Sequence, residues 1–420
     1  MSESKIRVSV VSKPFVVSAV IFVFAGSIIG SIWMMSLVGA DLAFARNSFP
    51  LHRIFQVDGF LTLLIMGVGY MIVPRFRNVQ ISSRTLAYVS FILIVLSIAS
   101  SVASTFAHDV LILLASLAQV LGISVFSAIT IKTLKIHPRL LRMADYFIAL
   151  SVSALLAIAI LKLVGQVVVT EGGGGNGSSL TGAQMQLLFV ILMIFGVEYK
   201  TLPSFLGFIR PRKKLSLISF GLAVSSIIFG LFSSLYDDIL LAEIFNIMLL
   251  SFVLTFAAAV YIFGGFDNSE ILRLIRGEKK ARYLYIMRHL RLAFLFLFAG
   301  VILATAFNIS RSYVLYDLAI HYTAIGFLGV TVALYLPLML PPITGRMVHF
   351  TKFNRLPLLL VVVALAIRTS GDIAMTMQLA TIGSSSLYLF STSGWVVVVA
   401  LFAFIIMIHS SMKQAEMINK

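Results

Sequence analysis

Two histidines lie at matching positions in two long apolar stretches, and their side chains could hold a metal. His52 lies near the start of the stretch 51–76, and His321 lies near the start of a second stretch, 317–346. His52 precedes Pro74 by 22 residues, and His321 precedes Pro341 by 20 residues. If both stretches are helices that run in the same direction, the histidines lie within about 3 Å of the same height. Two neutral imidazoles at one height can ligate a haem iron from both sides.

The same two residues also have a simpler interpretation, in which each is a polar residue that only forms hydrogen bonds near the membrane surface. We interpret the remaining histidines in this simpler way, because they lie in predicted loops or at the ends of apolar stretches: His108, His137, His289, His349 and His409.

Small and basic residues near the two histidines would suit a haem. Gly59 and Gly326 allow a flat macrocycle, or a neighbouring helix, to approach closely. Arg53 and Arg311 are predicted near the same height and could bind haem propionates, although contact with lipid explains them equally well.

Further charged residues occur within the apolar stretches, where charge is costly unless it faces the protein interior. Arg368 and Asp372 are four residues apart and are predicted to pair on one helix face. Asp58, six residues after His52, could take part in proton movement or quinol binding.

The elements that must position these residues are membrane helices. The chain has 420 residues, of which 60% are hydrophobic and 11% are charged, and this composition indicates an all-α polytopic membrane protein. The absence of cysteine excludes disulfides, iron–sulfur ligation and thiolate metal sites. The net charge of +16 resides mostly in short loops, so it favours contact with anionic lipid and not with nucleic acid.

Stretches of about 20 apolar residues predict a single domain, 1–420, with twelve membrane spans. Basic residues follow every even-numbered span, so both termini are predicted to be cytoplasmic and the protein to lie in the cell membrane. A Gly-rich external loop is predicted at 171–183, and a basic cytoplasmic loop that could form an interfacial helix at 265–288. The predicted spans are 14–38, 51–75, 85–107, 109–131, 144–169, 184–208, 215–236, 238–264, 289–309, 316–342, 357–380 and 388–411.

The second and tenth spans resemble subunit I of the haem–copper oxidases, most closely the C family. The pattern in the second span consists of Leu51, His52, Gly59, Phe60, Gly67, Tyr70, Val73 and Arg75. In the tenth span, His321 is followed by Gly326, Tyr335 and Pro337. The resemblance implies a twelve-helix bundle in which His52 and His321 are the axial ligands of one low-spin haem b.

The oxygen-reducing centre of that family has no counterpart in this sequence. Its high-spin haem ligand would fall at Ala319, and the sixth span has Glu198 and Tyr199 but no copper-binding histidine. The histidine pair expected in the seventh span is absent too. The resemblance therefore implies an electron-transfer subunit of a respiratory complex, not a complete oxidase. Its expected partners are a cytochrome or an iron–sulfur protein, and quinol is a possible electron donor.

Two other functions remain open. The residues Thr344–Arg346 after the tenth span also resemble the NnrS family, which implies a haem or copper protein in nitric oxide stress. However, Ile54 and Phe55 stand where that family carries a further histidine and a glutamate. The third hypothesis is a haem-free transporter, which would favour inverted repeats. No clear repeat relates the two halves of this sequence.

Overall fold

The computed structural model describes residues 10–37, 45–106, 110–136, 142–172, 180–206, 210–264, 275–376, 388 and 390–418. Twelve helices in these ranges are long and apolar enough to cross a membrane. The prediction of an all-α polytopic membrane protein is therefore confirmed.

The helices follow the predicted spans closely. Two of them, α2 and α10, each consist of an α-helical, a π-helical and a second α-helical segment. The bounds are α1 Ser12–Leu37, α2 Ala45–Arg53, Ile54–Thr62 and Leu63–Arg77, α3 Arg84–Ser104, α4 Val110–Leu134, α5 Met143–Gly172, α6 Leu180–Leu206, α7 Lys213–Tyr236, α8 Ile239–Ala259, α9 Gly277–Ser310, α10 Tyr313–His321, Tyr322–Gly329 and Val330–Thr344, α11 Leu356–Thr376 and α12 Ser393–Ile418.

One boundary differs markedly from the prediction. The basic segment predicted as a loop up to residue 288 is helical from Gly277 and forms the first turns of α9. Gly277 has a positive φ of 58°, and no proline or further glycine interrupts the helix before Gly300. Lysine and arginine are good helix formers, so the helix continues beyond its apolar part. Most of the predicted external loop, residues 173–179, lies outside the described residues.

The second helix lies at the centre of the bundle. In the most apolar part of α2, 89% of the residues are buried inside the protein, compared with 28% in α11. The other strongly enclosed span is α6, at 78%. Because α2 is surrounded by protein, a polar group on it must find its partners within the bundle.

Several polar side chains inside the bundle are paired across helices. The Asp58 carboxylate accepts a hydrogen bond of 2.7 Å from Gln119 Nε2 and lies 3.3 Å from Lys162 Nζ. Arg77 and Asp145 form a second buried ion pair at 3.4 Å. These contacts join α2 to α4 and α5, and they give Asp58 a structural explanation.

Four fully buried phenylalanines fill the space between α6, α8, α9 and α10. The Phe195 and Phe256 rings are stacked with centroids 3.6 Å apart, and Phe294 stacks on Phe195 at 5.5 Å. Phe327 packs edge-on against both Phe195 and Phe294. This side of α10 is thus closed by aromatic packing.

The native sequence contains no cysteine, so single cysteines provide a clean test of the predicted orientation. Lys279 and Asp237 are both exposed and lie at opposite ends of the bundle. A membrane-impermeant maleimide should label Asp237→Cys in intact cells and Lys279→Cys only after the membrane is disrupted. The reverse labelling pattern would mean that the cationic loops lie outside.

Candidate functional site

A cavity of about 450 Å³ separates α2 from α10 and is bordered by α1, α11 and α12 as well. Its walls are mostly aliphatic and aromatic, and its volume is in the range of sites for cofactors and other small molecules. His52 and His321 both line it. The structure therefore brings the two predicted histidines to one cavity.

His52 is held by the backbone of α1. Its Nδ1 atom lies 2.7 Å from the carbonyl oxygen of Gly26. Gly30, one turn further along α1, leaves the space that the imidazole occupies, because a Cβ atom there would collide with Nδ1 of His52. Gln56 adds a second link to α1 through a 3.0 Å hydrogen bond to Ser27.

His321 is held by its own helix and by a carboxylate. Its Nδ1 atom lies 2.7 Å from the carbonyl oxygen of Asp317, one turn earlier in α10. The Asp317 side chain is also close, with Oδ1 3.3 Å from the same nitrogen.

These contacts show which nitrogen of each ring is the hydrogen-bond donor. A carbonyl oxygen can only accept a hydrogen bond, so Nδ1 must be the donor in each histidine. The Nε2 atom of each neutral ring then carries a lone pair and no proton. Metal-ligating histidines usually have this arrangement, in which one nitrogen donates to a carbonyl or a carboxylate and the other binds the metal.

Asp317 in turn forms a buried ion pair with α11. Arg368 donates from Nε to Oδ2 at 2.5 Å and from Nη2 to Oδ1 at 2.6 Å, which is the bidentate geometry of strong arginine–carboxylate pairs. Both residues are only 6% exposed. The sequence predicted that Arg368 can pair with Asp372 on the same helix face. The structure adds Asp317 from α10 as a bidentate partner of Arg368, and Asp372 interacts electrostatically with the same pair.

A π-helical segment begins directly after each histidine region. In α2 it spans Ile54–Thr62, and in α10 it spans Tyr322–Gly329. The Thr62 hydroxyl donates to the carbonyl of Val57, five residues earlier, at 3.0 Å. Segments of this kind are rare and frequently occur at functional sites. No pattern in the sequence predicted them.

The other predicted cofactor-binding residues lie in different environments. Arg53 borders the cavity and donates to Gln186 on α6 at 3.2 Å. Arg311 ends α9 with a positive φ and lies over the Phe307 ring, away from the cavity lining. Gly59 and Gly326 face neighbouring helices, since a Cβ atom on them would meet Phe22 and Phe296 respectively.

His289 belongs to the cavity, although its sequence position suggested the membrane surface. It is only 5% exposed and lines the cavity at the end nearer the basic loops. Its Nδ1 atom lies 2.8 Å from the carbonyl of Tyr285, and the two rings are 3.9 Å apart. The sequence predicted that this span begins at His289. In the structure α9 begins twelve residues earlier, so His289 lies within the helix and not at its end. His108 and His137 lie outside the described residues.

Ala319, where the resemblance would place a second haem ligand, packs tightly. It is 2% exposed and lies in an apolar cluster with Leu180 and Ala304. Among the described residues, no group of three or more histidine and acidic side chains has the arrangement of a metal site.

No protein-family model matches this chain, and a search of curated proteins found no match. The site is therefore interpreted from its own geometry.

The Asp317–Arg368 pair predicts a strong effect on stability. Arg368→Ala should destabilise the fold by about 3–5 kcal/mol, because it leaves the Asp317 carboxylate buried without its cation. Thermal unfolding of the purified protein in detergent measures this loss. Lys162→Ala is the matched control, since the Lys162 side chain is 31% exposed and solvent or lipid headgroups can compensate its removal. Equal losses in the two variants would contradict the assigned importance of the Asp317 pair.

Proposed function

We propose that this chain is a membrane cytochrome b that transfers electrons through one haem held by His52 and His321. One observation carries the proposal. The imidazoles of His52 on α2 and His321 on α10 line the same cavity, and each Nδ1 atom contacts a backbone carbonyl, which assigns the Nε2 atom of each ring to the metal. Two such nitrogen atoms are the donor set of a six-coordinate haem iron.

The rest of the cavity suits a haem as well. Its apolar walls match a macrocycle, while Arg53, Gln186 and Tyr316 add polar groups near the histidines. Arg53 is the residue most suited to bind a propionate, because a guanidinium forms charge-assisted hydrogen bonds with carboxylates. When bound, a haem with two histidine ligands cycles between ferric and ferrous iron and leaves no coordination position for a substrate.

The packing on the other side of α10 favours electron transfer over oxygen reduction. Phe195, Phe256, Phe294 and Phe327 fill the space between α6 and α10, and Ala319 is packed against Ala304. A second metal centre would have to displace this aromatic cluster. The chain would therefore serve as an electron-transfer subunit, with a cytochrome or an iron–sulfur protein as its partner in a respiratory complex.

The alternatives make different predictions about the purified protein. An NnrS-like function in nitric oxide stress requires haem or copper, and metal analysis would detect a stoichiometric copper ion. A haem-free transporter would contain neither haem iron nor copper.

The decisive experiment is a reduced-minus-oxidised spectrum of the purified protein. We expect the bands of a low-spin b-type cytochrome and about one haem per chain. His52→Ala and His321→Ala should each abolish this signal, because a single imidazole leaves the iron five-coordinate or unbound.

His349→Ala is the control for these two variants. His349 does not line the cavity, and its Nδ1 atom lies 3.3 Å from an oxygen of Glu278. The spectrum of this variant should equal that of the unmodified protein. A haem-free protein that is folded, or a signal that survives loss of either cavity histidine, would refute the proposal.

The Asp317 carboxylate should tune the haem. A negative charge beside His321 stabilises ferric iron, so Asp317→Asn should raise the midpoint potential by tens of millivolts. A shift of about 59 mV corresponds to a tenfold change in the equilibrium constant of a one-electron reduction. The double variant Asp317→Asn/Arg368→Gln removes both charges and should return the potential toward the original value. A redox titration followed at the haem bands measures both. A lowered potential in the single variant would contradict an electrostatic effect of Asp317.

A further inference from the structure

The cavity has a second polar region, formed by Tyr285 and His289 on α9. The Tyr285 hydroxyl donates to the carbonyl of Ala333 at 2.8 Å. Ala333 is twelve residues after His321 in α10, so this hydroxyl lies several turns from His321 toward the basic loops. His289 follows Tyr285 by one turn of α9, and the two rings are adjacent.

His289 presents an acceptor and no donor to the cavity. Its Nδ1 atom donates to the Tyr285 carbonyl at 2.8 Å, so Nε2 of the neutral ring has a free lone pair. In the described part of the chain, no hydrogen bond to this Nε2 atom is formed. Because His289 lines the cavity, a ligand there with an O–H or N–H group can donate a hydrogen bond to this lone pair.

The surroundings of His289 suit a planar ring. Tyr285 lies against the imidazole with centroids 3.9 Å apart, and Phe353 packs edge-on against Tyr285 at 4.9 Å. Phe350 contacts both Tyr285 and Phe353. Phe350 and Phe353 lie behind Tyr285 and do not line the cavity, so they hold the Tyr285 ring in a position where it can contact a flat ring.

The cavity also provides a long apolar path and an opening to lipid. Aliphatic and aromatic side chains from α10, α11 and α12 line the part nearer the basic loops, including Leu336, Leu340, Leu358, Val361, Leu401 and Phe404. Ile405 borders the same region and is 38% exposed on the surface of a membrane span. An amphiphile could therefore enter from the bilayer and leave its hydrocarbon chain along this path.

We infer that this region binds an isoprenoid quinol, with one quinol hydroxyl donating to Nε2 of His289 and the tail along the apolar path. The acceptor at Nε2 selects the reduced form, because a quinone carbonyl cannot donate a hydrogen bond. The inference rests on the proposed function for its choice of occupant, since a quinol is a lipid-soluble electron donor that a membrane cytochrome can oxidise. Binding itself requires only residues of this chain.

The test is binding of a decyl benzoquinol to the purified full-length protein in nanodiscs, with ascorbate present. The comparison ligand is its dimethyl ether, which keeps the ring and tail but has no hydroxyl to donate. We expect the ether to bind about tenfold more weakly, as for the loss of one hydrogen bond to a buried group. This comparison uses the unmodified protein, so a folding defect cannot explain it.

A variant locates the site. His289→Phe keeps an aromatic ring but removes the acceptor, so the quinol should bind about tenfold more weakly and no better than the ether. His349→Ala should leave both affinities unchanged, because its side chain lies outside the cavity. Equal affinity of quinol and ether in the unmodified protein, or an unchanged preference in His289→Phe, would overturn the inference.

A haem spectrum of the same samples separates this inference from the proposed function. Haem without quinol selectivity would overturn only the quinol site. Quinol selectivity that depends on His289, in a folded protein without haem, would support the site and refute the cytochrome.

Discussion

The candidate site depends on one type of contact, the hydrogen bond from an imidazole Nδ1 to a backbone carbonyl. In the membrane interior an unpaired N–H group is costly, and here each ring satisfies that group with a carbonyl at 2.7 Å. The same bond fixes the tautomer and the orientation of the ring. A helical carbonyl has a second lone pair beyond the one used by the helix, so both bonds form without opening α1 or α10. For His52 the contact also requires Gly30, because any Cβ atom there would occupy the position of the imidazole.

The π-helical segments change which residues share a face of α2 and α10. A π-helical turn contains more residues than an α-helical turn, so the positions after it are rotated relative to an uninterrupted α-helix. Before the segment, α10 presents His321 to the cavity. After it, Tyr335 on the same helix faces α6, where its hydroxyl donates to Glu198 at 3.0 Å. The π-helical segment thus allows α10 to line the cavity with His321 and to contact α6 with Tyr335.

The sequence predicted the twelve helices because about 20 apolar residues are needed to cross a bilayer. This requirement concerns one continuous stretch of the chain, so it can be recognised without knowledge of the packing. The sequence also predicted that His52 and His321 lie at one height, and the structure places both in the lining of one cavity. It did not predict that Gly26 on α1 would hold His52, because that contact depends on how α1 packs against α2. It did not predict that His289 is buried, for a different reason. The helix α9 has 34 residues and begins twelve residues before His289, so His289 is enclosed by the bundle and lines the cavity instead of ending a helix.

The contacts of Arg368 show why spacing along a helix does not reveal every buried partner. Asp372 is four residues away on the same helix, and Asp317 on α10 adds both of its carboxylate oxygens to the guanidinium. A bidentate carboxylate compensates a buried cation strongly, but the packing of α10 against α11 that supplies it cannot be read from the sequence of α11. The Asp317–Arg368 ion pair joins α11, the least enclosed span, to α10 one turn before His321. The ion pair therefore fixes a lipid-facing helix against the wall of the cavity and places a carboxylate beside the imidazole in the same contact.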